Sequence, residues 1–181
     1  MILEKEIIAQ ILHGHPERYS YFVSSYARHI ISFTMRMVGD RQDAEELAQD
    51  ALLDAYRNLS GYDADKPFLS WTLKIAFNKC VSFLRKRKIQ PLNIDNFTNE
   101  ELYGQQVDDY LEADDDDRAK ALTEAIGRLN PEEQTLIASY YYDNMKMSEI
   151  GYIMDMETGA VATRLHRIRK KLYVILKREG K

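Results

Sequence analysis

The side chains best suited to covalent or metal chemistry are four histidines, one cysteine and 29 carboxylates in a chain of 181 residues. His13 and His15 stand two apart, which on a helix sends them to opposite sides, and neither has a Cys or Glu at metal-ligand spacing. The string Asp63-Ala-Asp-Lys-Pro67 opens like a calcium loop but puts a proline at the third ligand position. The run Asp114 to Asp117 lacks the glycine and closing glutamate of such a loop. Cys80 is alone in an apolar stretch, so neither an internal disulfide nor a Cys-rich zinc site is available. Glycine is scarce and no common phosphate-binding loop is present. The expectation is a chain that is not an enzyme, with no catalytic residues, no metal, no cofactor and no small-molecule substrate.

Binding chemistry is better represented. From Tyr62 to Lys88 aromatics (Tyr62, Phe68, Trp71, Phe77) alternate with cations (Lys66, Lys74, Lys79, Arg85, Lys86). Aromatic rings can stack on unpaired bases while cations follow the phosphates. The same spacing also suits a helical core, and Trp71, Ile75 and Phe77 fit that role as well. Near the C-terminus, Ser148 can cap a short helix ending near Met154, with Ile150 and Ile153 facing inward. Asp155-Met156-Glu157 would turn the chain. A longer helix follows, with Val161, Leu165, Ile168 and Leu172 on one face and Thr158, Thr163, Arg164, His166, Arg167, Lys170 and Lys171 on the other. Short helix, tight turn and basic helix make a helix-turn-helix, whose second helix can enter a major groove. An ordinary helical hairpin with a solvated basic face has the same periodicity.

These groups need a helical framework, and the spacing predicts one. Ala44, Leu47, Ala48, Ala51, Leu52, Ala55, Tyr56 and Leu59 recur on one face of a helix that Asp40 or Asp43 can cap. Residues 17–38 carry Tyr19, Phe22, Val23, Tyr26, Ile30, Phe33 and Met37 at helical spacing, and Tyr62 to Pro67 reads as a loop. Residues 118–129 are again helical, and Asn130-Pro131 breaks the pattern before a helix through Tyr140. No strand pattern, internal repeat, secretory leader or membrane-spanning apolar run is expected, so the default setting is cytoplasmic.

The net charge of -4 is unevenly divided. Residues 89–117 hold ten acidic and no basic side chains, between two segments of net positive charge. This stretch reads as a linker, with a short helix near Leu102 to Tyr110. The expected architecture is all-α: a helical bundle over 1–88, the acidic linker over 89–117, and a helix-turn-helix domain over 118–181.

The stretches DAEELAQDALLDAYRNL (Asp43 to Leu59), FLSWTLKIAFNKCVSFLRKRK (Phe68 to Lys88) and LNPEEQTLIASYYYDNMKMSEIGYIM with TGAVATRLHRIRKKL, in that order, resemble the extracytoplasmic-function sigma factors. These are the small bacterial sigma subunits of RNA polymerase. The resemblance implies that the first domain docks on core polymerase through Glu46, Gln49, Asp50, Leu53 and Arg57. It implies that Tyr62, Lys66, Phe68, Trp71, Lys74, Asn78, Arg85 and Lys86 open and read the minus-ten element. It assigns the minus-thirty-five element to Thr158, Thr163, Arg164, His166, Arg167, Lys170 and Lys171. Core RNA polymerase, promoter DNA and an anti-sigma factor, often membrane-bound, are the implied partners. The linker would thread along the polymerase toward its active-site channel. Asp155 and Glu157 stand where the family's turn often has glycine and small residues, and Ala162 where its DNA face is often polar. Two other classes remain open: a stand-alone helix-turn-helix regulator, and a helical adaptor that binds protein only.

Overall fold

The structure, a computed structural model, describes residues 2–87 and 116–179. The acidic linker expected at 89–117 therefore lies outside the described residues except for its last two, and the short helix expected near Leu102 to Tyr110 lies outside them altogether. Eight α-helices are described: α1 (Ile2–Leu12), α2 (Ser20–Val38), α3 (Arg41–Arg57), α4 (Phe68–Lys86), α5 (Asp116–Gly127), α6 (Pro131–Tyr141), α7 (Met147–Met154) and α8 (Thr158–Glu179). Single 3-10 turns, Pro16–Tyr19 and Leu59–Gly61, precede α2 and follow α3. No strand occurs among the described residues. The chain divides into two compact units, the first built on α1 to α4 and taking in Tyr152–Asp155, the second built on the rest of the helices that follow.

In the first unit, α3 starts where the Asp40 carboxylate accepts the Asp43 N–H at 3.0 Å. Its inner face is Ala44, Ala48, Ala51, Leu52 and Ala55, all buried. Small side chains there let α2 and α4 approach closely, and the buried Thr34 hydroxyl donates to the Ala44 carbonyl at 2.9 Å. α2 turns Phe22, Ile30, Phe33 and Met37 inward and leaves Val23 exposed. It ends at Gly39, whose φ of 74° is one that a side chain would resist. A cluster of Ile7, Ile8, Ile11, Phe22, Ala55, Leu59 and Phe68 joins α1 to the other three helices. Within this unit Cys80 is fully buried, and loss of solvent pushes its thiol up to about 12.

α1 stops at Leu12, so His13 and His15 do not lie on opposite sides of a helix as their spacing suggested. The turn at Gly14, φ 101°, intervenes; His13 Nδ1 lies 2.6 Å from the Ala9 carbonyl, and His15 sits 3.3 Å from Glu17. Among the described residues no group of three His, Cys, Asp or Glu side chains could hold a metal ion.

In the second unit, Asn130 and Glu133 form a reciprocal capping box on α6, with Pro131 in the first turn. α8 buries Val161, Leu165, Ile168 and Leu172 on one stripe, as its periodicity predicts. Ser148 does not cap α7 from outside: the helix begins at Met147 and takes Ser148 into its first turn. The turn after α7 uses Asp155 at φ 57°, a left-handed conformation that Asp tolerates better than most residues. The Met156 N–H then donates to the Gly151 carbonyl at 2.8 Å. A Cβ on Gly151 would lie 2.6 Å from the Met156 carbonyl oxygen, so the glycine this turn needs sits in the preceding helix. Gly151→Ala is expected to cost about 1–3 kcal/mol through that overlap, read as a lowered unfolding midpoint by circular dichroism.

Candidate functional site

On α3, the face opposite the alanine stripe carries Glu46, Gln49, Asp50, Leu53 and Arg57, all exposed. The spacing runs 46, 49/50, 53, 57, one continuous stripe of a helix. Leu53 is 42% exposed among these polar neighbours. An apolar anchor within a polar rim is the composition of a protein-binding surface. Arg57 lies 3.6 Å from Asp54. Lys79 of α4 reaches Asp54 at 2.6 Å and Asp50 at 3.8 Å, and holds the Asp54 carboxyl below its usual range.

Along the loop and α4 the expected DNA contacts separate into two groups. Lys66, Asn78, Arg85 and Lys86 are exposed and Lys74 is half-buried. Phe68 is a correction: it is fully buried, its ring stacked on Phe22 with centroids 4.0 Å apart, so no face is open to a base. Pro67 opens α4 with Phe68 directed into the bundle, where Ile7, Ile8 and Ile11 of α1 share its cluster. Trp71 is half-buried and packs on the same cluster, 5.1 Å from the Tyr62 ring. Tyr62 is half-buried too, and its hydroxyl donates to the Lys66 carbonyl, closing the loop on itself. Arg87, outside the set of expected DNA contacts, donates to Asp43 at 2.8 Å and lies over the Phe83 ring. That pair joins the end of α4 to the start of α3.

On α8, Thr158, Ala162, Thr163, His166 and Arg167 are exposed and Lys170 is partly so. At about 100° per residue these positions share one half of the helix circumference. Thr163 turns its hydroxyl back to the Gly159 carbonyl at 3.0 Å. Arg164 and Lys171, expected on the exposed face, are corrected to its flank. Arg164 donates to Glu132 at 2.6 Å. Lys171 donates to Glu133 at 2.7 Å, and its side chain is only 14% exposed. Both face α6 because they sit about 40–60° from the buried stripe rather than opposite it. On the other flank, Arg169 donates to the Tyr141 hydroxyl at 2.7 Å. Three of the five arginines and lysines between 164 and 171 are thus committed to α6.

The geometry is that of a two-part binding protein, and comparisons with known proteins agree. The family model described as Sigma-70 region 2 matches residues 22–89, and that of Sigma-70 region 4 matches residues 119–172. The ECF RNA polymerase sigma factor SigW of Bacillus subtilis is 29% identical over 178 residues, covering 93% of this chain and 94% of that protein. The RNA polymerase sigma-H factor of Pseudomonas aeruginosa is 22% identical over 176 residues, covering 93% and 91%. Among solved structures, the fold is similar to CnrH in complex with the cytosolic domain of CnrY (TM-score 0.65, 18% identity, 94% of this chain and 95% of that one). It is also similar to the sigma factor RpoE in complex with the anti-sigma factor NepR from Bartonella quintana (TM-score 0.63, 19% identity, 88% and 96%). With both regions matched in order over most of its length, and with relatives alike from end to end, the chain belongs to the extracytoplasmic-function sigma factors, the subunits that direct RNA polymerase to its promoters.

Proposed function

We propose that the outer stripe of α3 docks on core polymerase, that the Tyr62 loop and α4 open and read the minus-ten element, and that α8 reads the minus-thirty-five element. The observation that carries this division is the Leu53-centred face, since a stand-alone DNA-binding regulator has no need of it. Lys66, Lys74, Asn78, Arg85 and Lys86 are the side chains on the first unit for the opened strand and its phosphates, with Tyr62 and Trp71 offering ring edges at the loop. On α8 the set is Thr158, Thr163, His166, Arg167 and Lys170. The residues at each interface bind and position, so the chain works without catalysis of its own, in the cytoplasm where core polymerase and DNA are found. No helix among the described residues is long and apolar enough to cross a membrane.

An anti-sigma factor is the third partner in this reading. Support comes from the complexes in which the two similar folds were solved, with the cytosolic domain of CnrY and with NepR. A partner covering the α3 or α8 faces would hold the chain inactive.

Leu53→Glu tests the docking face. Replacing a central apolar anchor by a charge is expected to weaken core binding by at least about tenfold while α3 stays folded, because Leu53 takes no part in the alanine packing. Core affinity measured by fluorescence anisotropy checks it. Unchanged affinity would move the docking surface elsewhere.

A further inference from the structure

Three cations of α8 are tied to α6, and they fall at its two ends. Glu132 and Glu133, in the first turn of α6, hold Arg164 and Lys171, seven residues or two helical turns apart on α8. Tyr141, the last residue of α6, accepts from Arg169 on the opposite flank of α8. The buried stripe of α8 fixes its distance from the support and forbids large rotations, while a roll of a few tens of degrees would change its apolar burial little. Charged hydrogen bonds on both flanks resist such a roll, since it would stretch one set while compressing the other. Glu133 is itself locked, through its capping bonds with Asn130, so its carboxylate cannot follow a rotating lysine. Glu132 is the adjustable member: the Arg164 and Glu132 side chains remain 31% and 38% exposed.

We infer that Glu132 is a positioning residue for sequence reading: through Arg164 it sets the rotation of α8 about its own axis and so decides which side chains face the base edges. The inference rests on the reading that α8 recognises promoter DNA. It makes Arg164 an internal strut and leaves Arg167 and Lys170 as the cations of the reading face. Loss of the strut lets the helix adopt neighbouring rotations, each presenting a slightly different set of groups. Affinity for DNA as such persists, and discrimination falls.

The test uses the full chain bound to core polymerase and promoters drawn from a randomised upstream element. Glu132→Gln is compared with Arg164→Lys, Arg164→Gln and Arg167→Ala, with the thermal midpoint and core affinity of each recorded. For Glu132→Gln and Arg164→Gln the ratio of affinities for selected and scrambled upstream elements is expected to fall about five- to tenfold, the scale of one good base contact. Their salt dependence should match that of the unaltered chain, and Arg164→Lys should recover most of the ratio. Arg167→Ala should instead lower affinity for both DNAs and reduce the salt slope by about one. A Glu132→Gln protein that keeps full discrimination overturns the inference, as does an Arg164→Gln protein that loses a unit of salt slope, which marks a phosphate contact. If the unaltered holoenzyme shows no upstream preference at all, the reading of α8 fails first and the inference goes with it.

Discussion

Phe68→Ala is expected to destabilise the first unit by about 3–5 kcal/mol, the range for removing a buried aromatic ring without collapse of the site. The ring is fully buried and stacks on Phe22 at 4.0 Å, with Tyr62 and Trp71 ring centroids 5.7 and 5.8 Å away. Its removal would leave a cavity where α1, α2 and α4 meet, in a domain whose whole stability is on the order of 5–15 kcal/mol. Trp71, the only tryptophan, reports the event directly, so urea unfolding followed by its fluorescence measures the loss. Phe68→Leu separates packing from base contact. It restores much of the volume but has no ring to stack on DNA, and it should recover most of the stability and open promoters normally. A stable Phe68→Leu protein unable to open promoters would return Phe68 to the DNA interface.

Lys171→Ala is the second large effect. Its ammonium donates to Glu133 at 2.7 Å, with side-chain exposures of 14% for Lys171 and 9% for Glu133. Removing the lysine strands a nearly buried carboxylate, and breaking such a pair costs about 3 kcal/mol or more. Replacing both partners, as Lys171→Met with Glu133→Gln, leaves no uncompensated charge and should cost clearly less than the single change. The comparison is made by chemical denaturation followed by circular dichroism. A double variant that loses as much as Lys171→Ala would show that the cost comes from losing the ion pair itself and not from a stranded carboxylate, since methionine keeps the lysine's packing. As Lys171 points to α6, the single variant's salt dependence of DNA binding should stay near that of the unaltered chain once folded.

Helix periods are local, and that is why so much of the framework is legible in the chain. The alanine stripe of α3, the Asp40 cap, the Asn130-Pro131 start of α6 and the buried stripe of α8 each depend on residues within a turn or two of one another. The outer stripe of α3 follows from the same period, which is how Leu53 stands out among charged neighbours. What escapes is whatever depends on a second element. Phe68 follows a proline at a loop edge and lies among lysines, so by its neighbours it looks like a surface ring. Only the placement of α1 against that edge, through Ile7, Ile8 and Ile11, makes it core. The roles of Arg164 and Lys171 depend on glutamates 32 and 38 residues away, beyond any periodic signal. A basic residue at a helix flank carries the same letter whether it meets a phosphate or a carboxylate. The wheel position offered the one available hint, since both cations lie beside the buried stripe rather than across from it.

The most direct measurement is transcription in vitro with purified core polymerase and a library of promoter fragments, with and without this protein. New transcripts sharing an upstream and a downstream motif, present only when both components are added, are the expected result. A folded protein that binds neither core polymerase nor promoter, and starts no transcript, would contradict it.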